Sequence, residues 1–130
     1  MCSIIKVIES LQNLRSLPPL SEQDIDNAEK TLGLHFADEY RSYTRKFGAI
    51  SANGIELTGV VSAPRLNVVN VTISERNLNK YIPNDMYVIE NTGIEGILML
   101  QNNEGEIFSI APNSKPEKKF NSLADYLKEG

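Results

Sequence analysis

The order of local signals along this chain predicts an α+β fold: N-terminal helices, a mainly antiparallel sheet and a C-terminal helix. Three observations carry the prediction. Apolar residues recur every three to four positions between Ile4 and Phe47, Gly-containing turns separate short apolar runs between Gly48 and Ile110, and a capping sequence, Ser122-Leu123-Ala124-Asp125, lies near the end.

Taken in order, Ile4, Ile8, Leu11 and Leu14, with Ile5 and Val7 widening the stripe, predict a first helix that Pro18-Pro19 brings to a stop. Ser21 opens a second. In "SEQD" the Ser21 and Asp24 side chains can each satisfy the other's backbone donor, and Leu20 can staple onto Ile25. Ile25, Ala28 and Leu32 share its inner face, and Gly33 supplies the left-handed closing residue, after which Leu34 folds back.

The third helix has Asp38 and Glu39 in its first turn and Arg41, Arg45 and Lys46 towards its last, charges that suit the helix dipole at both ends. Tyr40, Tyr43, Thr44 and Phe47 fall on one face, which reads as core rather than as a platform for stacking bases.

Strand signals follow. Asn53-Gly54 between two apolar runs predicts a hairpin. "MYVIE" from Met86, "ILMLQ" from Ile97 and "EIFSI" from Glu106, separated by "NTGIEG" and "NNEG", predict a meander whose middle strand is covered on both faces. Residues 66–81 fit strand or helix; the spacing of Val71, Ser74, Glu75 and Leu78 favours a helix from about Val71. After the proline-containing stretch "APNSKPEKK", a last helix from Ser122 turns Leu123, Tyr126 and Leu127 inward. The expected core includes Ile25, Leu32, Tyr40, Phe47, Leu98, Leu100, Phe108 and Leu127.

A chain of 130 residues with 41% hydrophobic and 23% charged side chains has the balance of a globular protein and the length of one domain, expected to span 1–130. Cys2 is the only cysteine, so no internal disulfide can form, and a reducing cytoplasmic home is expected. The start "MCSIIKVIES" lacks the pattern of a signal peptide, and no apolar run could span a bilayer. A net charge of −4 argues against dominant binding to a nucleic-acid backbone and tolerates a basic protein partner, and no membrane partner is expected. Asn70-Val71-Thr72 matches a glycosylation sequon, a pattern without weight in a cytosolic chain.

Catalytic signals are missing from the pattern. One histidine and one cysteine make a poor zinc set. His35, between Leu34 and Phe36, reads as a loop or half-buried histidine rather than a ligand or base, and no phosphate loop or nucleophile elbow occurs. The carboxylate pairs Glu90 with Glu95 and Glu104 with Glu106 flank strand turns rather than a cleft. The expectation is a protein that is not an enzyme and holds no cofactor and no metal.

The block "LSEQDIDNAEKTLGLHFADEYRSYTRKFGAI", the hairpin after it and the late "GEIFSIAP" and "FNSLADYLKEG" resemble the SUKH superfamily, which groups bacterial toxin-immunity proteins with fungal Smi/Knr cell-wall synthesis regulators. Ile25, Glu29, Leu32-Gly33, Phe36, Asp38, Tyr40, Tyr43 and Gly48-Ala49 take positions of the family pattern. Ala37 stands where the family usually has proline, Phe47 where it has asparagine, and Ala49 where it has a second glycine.

The resemblance implies a SUKH-like domain that binds and neutralises a cognate bacterial toxin, often a nuclease. The alternative is a housekeeping regulatory module that binds a cellular protein without a toxin. If the partner is basic, charge complementarity makes the acidic groups Asp38 and Glu39, Glu90 and Glu95, and Glu104 and Glu106 the candidate partner-binding residues. The oligomeric state stays open.

Overall fold

A computed structural model describes residues 4–129. The elements in chain order are α1 (Ile4–Glu9), β1 (Arg15–Leu17), α2 (Glu22–Leu32), α3 (Asp38–Phe47), β2 (Ala49–Ala52), β3 (Ile55–Glu56), α4 (Val68–Leu78), β4 (Tyr87–Asn91), β5 (Leu98–Gln101), β6 (Ile107–Ile110), β7 (Glu117–Phe120) and α5 (Leu123–Glu129). The fold is mixed α+β with a C-terminal helix, as the local signals predict.

Two antiparallel sheets form, in the orders β1-β2-β3 and β4-β5-β6-β7. The chain just after β3 joins them: Thr58 N–H donates to Ile89 O at 2.8 Å, and Thr58 Oγ1 donates to Val88 O at 2.8 Å. Side chains alternate across the second sheet. Tyr87, Ile89, Met99 and Ile107 face a core closed by α1, α2, α3 and α5, while Val88, Leu98, Leu100 and Ile110 face Ile82, Met86 and Val71 of the α4 side. Leu98 to Gln101 are all buried, so the middle strand is covered on both faces.

The caps form as read. Asp24 N–H donates to Ser21 Oγ at 3.2 Å and Ser21 N–H to Asp24 Oδ2 at 3.1 Å. Gly33, at φ 71°, and Leu34 both send their N–H to Glu29 O, which closes α2. Asn53 and Gly54 turn the first hairpin at φ 50° and 85°. The ambiguous segment is helical, beginning at Val68 because Asn67 Oδ1 accepts from Val69 and Asn70 N–H.

Other expectations are corrected. The first helix stops at Glu9 instead of running through Leu14, and Asn13 takes a left-handed φ of 59°. Leu11 and Leu14 still pack on the core, but from a turn, because Arg15–Leu17 pairs with Ala49–Ser51 as a strand. Part of the proline-containing stretch is a strand as well: β7 pairs with β6, and Phe120 packs on Tyr126 with ring centroids 5.4 Å apart. Phe47 and Phe108 are half-buried rather than core, and Leu20 stays exposed. Cys2 lies outside the described residues.

Candidate functional site

Buried polar contacts run through the interior and account for two of the candidate acids. The rings of Phe36, Tyr40, Tyr43 and Tyr87 pack tilted or edge-on at centroid distances of 4.8–5.5 Å. The three tyrosine hydroxyls do not reach solvent: Tyr43 donates to Thr58 O at 2.7 Å, Tyr40 shares a 2.8 Å hydrogen bond with Thr58 Oγ1, and Tyr87 donates to Gln101 Oε1 at 2.8 Å. Burial pushes the Tyr43 and Tyr87 hydroxyls far above their usual range, so both stay protonated and serve as structural donors. Ala37 N–H donates to Tyr87 Oη at 3.0 Å, which anchors the start of α3 where the side chain of Ala37 offers no cap.

Glu39 continues this network. Gln101 Nε2 donates to its Oε1 at 2.8 Å, and the N–H groups of Leu123 and Ala124 donate to its carboxylate, so Glu39 ties α5 to the sheet. Burial raises its pKa above the ordinary carboxylate value, against the opposing pull of those donors. Glu90 is only 4% exposed. A bulge between Val88 and Glu90 turns it inward, where Glu56 N–H donates to it at 3.0 Å and the Tyr126 hydroxyl donates to its other oxygen. Neither Glu39 nor Glu90 offers a free surface carboxylate, contrary to the sequence expectation.

The remaining four acids are at least partly exposed and fall at two ends of the sheet. Asp38 begins α3, and the β5–β6 turn carrying Glu104 and Glu106 lies beside it. Gly105 is close enough that an added Cβ would sit 3.4 Å from Glu39 Oε1. A depression of about 440 Å³ there is lined by Asp26, Glu29, His35, Phe36, Asp38, Arg41 and Asn103. Two groups that looked separate in sequence, Asp38 and Glu104, therefore share one end.

Much of this acidic end is already paired. Arg41 meets Asp26 at 3.0 Å and Glu29 at 2.9 Å, and Glu106 meets Lys118 at 2.7 Å, a contact that holds the Glu106 carboxyl below its usual range. The Asp26, Glu29 and Arg41 cluster was not singled out in sequence, because its members lie on two helices whose packing no local pattern reveals. His35 is an exposed loop residue, as read.

Glu95 sits at the opposite end, in the β4–β5 turn, at φ 53°. Beside that turn runs a cleft of about 510 Å³ between α4 (Asn70, Val71, Ser74, Glu75) and Asn91 and Gly93, crossed at its edge by the Arg65–Glu56 ion pair at 2.6 Å. Among the described residues no group of three or more His, Cys, Asp or Glu could hold a metal ion, and no helix is long and apolar enough to cross a membrane.

The whole chain, residues 1–130, matches a family model with the description SUKH_5, SMI1-KNR4 cell-wall. No curated protein matches it.

Proposed function

Because this chain belongs to the SUKH family of the SMI1-KNR4 cell-wall description, we propose that it is a non-enzymatic, cytoplasmic immunity protein that binds and neutralises a cognate bacterial toxin. The family match over residues 1–130 is the observation that carries this reading. The acid and hydroxyl groups suited to catalysis support it, since Glu39, Glu90, Tyr43 and Tyr87 are each engaged in bonds that hold the fold.

Neutralisation by occlusion requires a stable surface and no reacting group. Exposed carboxylates at whichever end forms the interface, Asp38 and Glu104 or Glu95, would steer a basic partner and discriminate against acidic ones. Glu106 would add to the first end in spite of its pairing with Lys118.

A second reading, a housekeeping regulatory module, draws on the cell-wall wording of the family description. Gene neighbourhood and binding separate the two. An immunity protein is encoded beside its toxin and forms a stoichiometric complex that abolishes the toxin's activity in vitro. A chain with no toxin gene adjacent, and no effect on any candidate toxin, is the regulator.

A further inference from the structure

Two large apolar side chains stand mostly in solvent. Leu78 is 78% exposed and Ile94 is 64% exposed. The row on α4 that faces Asn91 and Gly93 includes Val71 and Ser74, and Leu78 continues it by one turn, at i+7 and i+4. Beside Leu78, Asn79 Nδ2 donates to Ala111 O at 3.3 Å. Pro112 lies against Gly96, where an added Cβ would fall 2.9 Å from its ring, and Gly96 closes the turn that carries Ile94 and Glu95. The segments carrying Leu78, Pro112 and Ile94 thus adjoin one another in a strip.

The turn itself is pinned. Thr92 Oγ1 donates to Ile97 O at 2.8 Å and accepts from Ile94 N–H at 3.2 Å, while Ile97 N–H donates to Ile94 O at 2.9 Å. The backbone that carries Ile94 is therefore held on an ordered scaffold, so that little backbone entropy remains to be lost when the turn is covered.

Two carboxylates border the strip, Glu75 on α4 and Glu95 on the turn, and neither has a cationic partner among the described residues. We propose that this strip is the docking surface for a protein partner presenting an apolar patch bordered by lysine or arginine. The proposal rests on the protein-binding reading and says which end of the molecule serves it. An apolar centre inside a charged rim is the anatomy of a specific interface. The loops carrying Asp38 and Glu104 have charge but none of the exposed large apolar residues. A second copy of this chain fits less well, because the Glu75 and Glu95 carboxylates of one copy would not complement the same carboxylates of the other.

The test places a photo-crosslinking residue at 78, 94, 38 or 104 in the native host, identifies the adduct by mass, and measures binding of that purified protein to folded variants. The expected result is one basic partner captured from 78 and 94. Leu78→Asp and Ile94→Asp should each weaken its binding about tenfold or more. Glu75→Lys and Glu95→Lys should slow association and flatten its salt dependence, and Asp38→Lys and Glu104→Lys should leave it unchanged. Adducts from 38 or 104 alone, with full affinity in Leu78→Asp, would overturn the strip while leaving the protein-binding reading standing. Adducts of the chain with itself would replace the partner with a second copy, and no adduct at any position would overturn both the strip and the protein-binding reading.

Discussion

Gly59 crosses Gly48 backbone to backbone, so closely that a Cβ on Gly59 would fall 1.8 Å from Gly48 O. Thr44 Oγ1 seals the crossing, donating to Gly48 O at 2.8 Å and accepting from Val60 N–H at 2.8 Å. The end of α3, the start of β2 and the approach to α4 all meet here. Gly59→Ala should cost at least the upper end of the roughly 1–3 kcal/mol of overpacking, because the obstacle is main chain and cannot rotate away. Gly33→Ala, at φ 71° with nothing within 4 Å, should cost only the roughly 1–2 kcal/mol of a left-handed residue. Urea unfolding of the two variants checks the order.

Tyr87→Phe keeps the aromatic packing but removes a hydroxyl that serves both Ala37 N–H and Gln101 Oε1. Leaving a buried polar group without a partner costs about 1–3 kcal/mol, so this change should destabilise more than Tyr81→Phe at the surface. Thermal melts of both variants give the comparison.

The Tyr126–Glu90 contact should behave as a coupled pair. Tyr126→Phe leaves a buried carboxylate with the Glu56 N–H as its remaining donor, whereas Glu90→Gln keeps an acceptor and removes the charge. Burial, then the neighbouring Glu90 carboxylate, pushes the Tyr126 hydroxyl well above its usual range, so it remains a donor throughout the working pH range. The double variant should lose less than the sum of the singles, measured by a double-mutant cycle in urea.

Two carboxylates should bend the pH dependence in opposite senses. The folded pKa of Glu39 is raised by burial above the ordinary 4.5, so the fold favours its protonated form; that contribution is full below the unfolded pKa and is lost as pH rises through the folded one. Glu56 is lowered by the hydrogen bond from Arg65, so its contribution is present above the unfolded pKa and is lost as pH falls through the folded one. The stability of the natural chain relative to Glu39→Gln should therefore decline as pH rises from about 4.5, and that relative to Glu56→Gln should decline as pH falls below it. Unfolding curves between acid and neutral pH read both trends.

Phe47→Ala should cost less than the roughly 3–5 kcal/mol of a fully buried aromatic, since the ring is half-buried and sits beside Lys46. Its loss in urea, set against that of Tyr40→Ala, measures how much of the aromatic stripe is true core.

The sequence alone determined what depends on near neighbours. The Ser21–Asp24 box, the Gly33 closure, the Asn53-Gly54 turn and the three central strands are each specified within a few residues, because capping groups and pleat alternation act over that range. Tertiary structure decided what depends on distant partners. Arg15–Leu17 and Glu117–Phe120 carry no strand pattern strong enough to read alone, and they become strands because β2 and β6 present unpaired backbone to them. The same holds for the acids: Glu39 and Glu90 look like Asp38 and Glu95 in the chain, yet donors 84 and 36 positions away at Leu123 and Tyr126 draw them inward. A carboxylate's role is set by what surrounds it in space, and only the packing of α5 against the sheet fixes those surroundings.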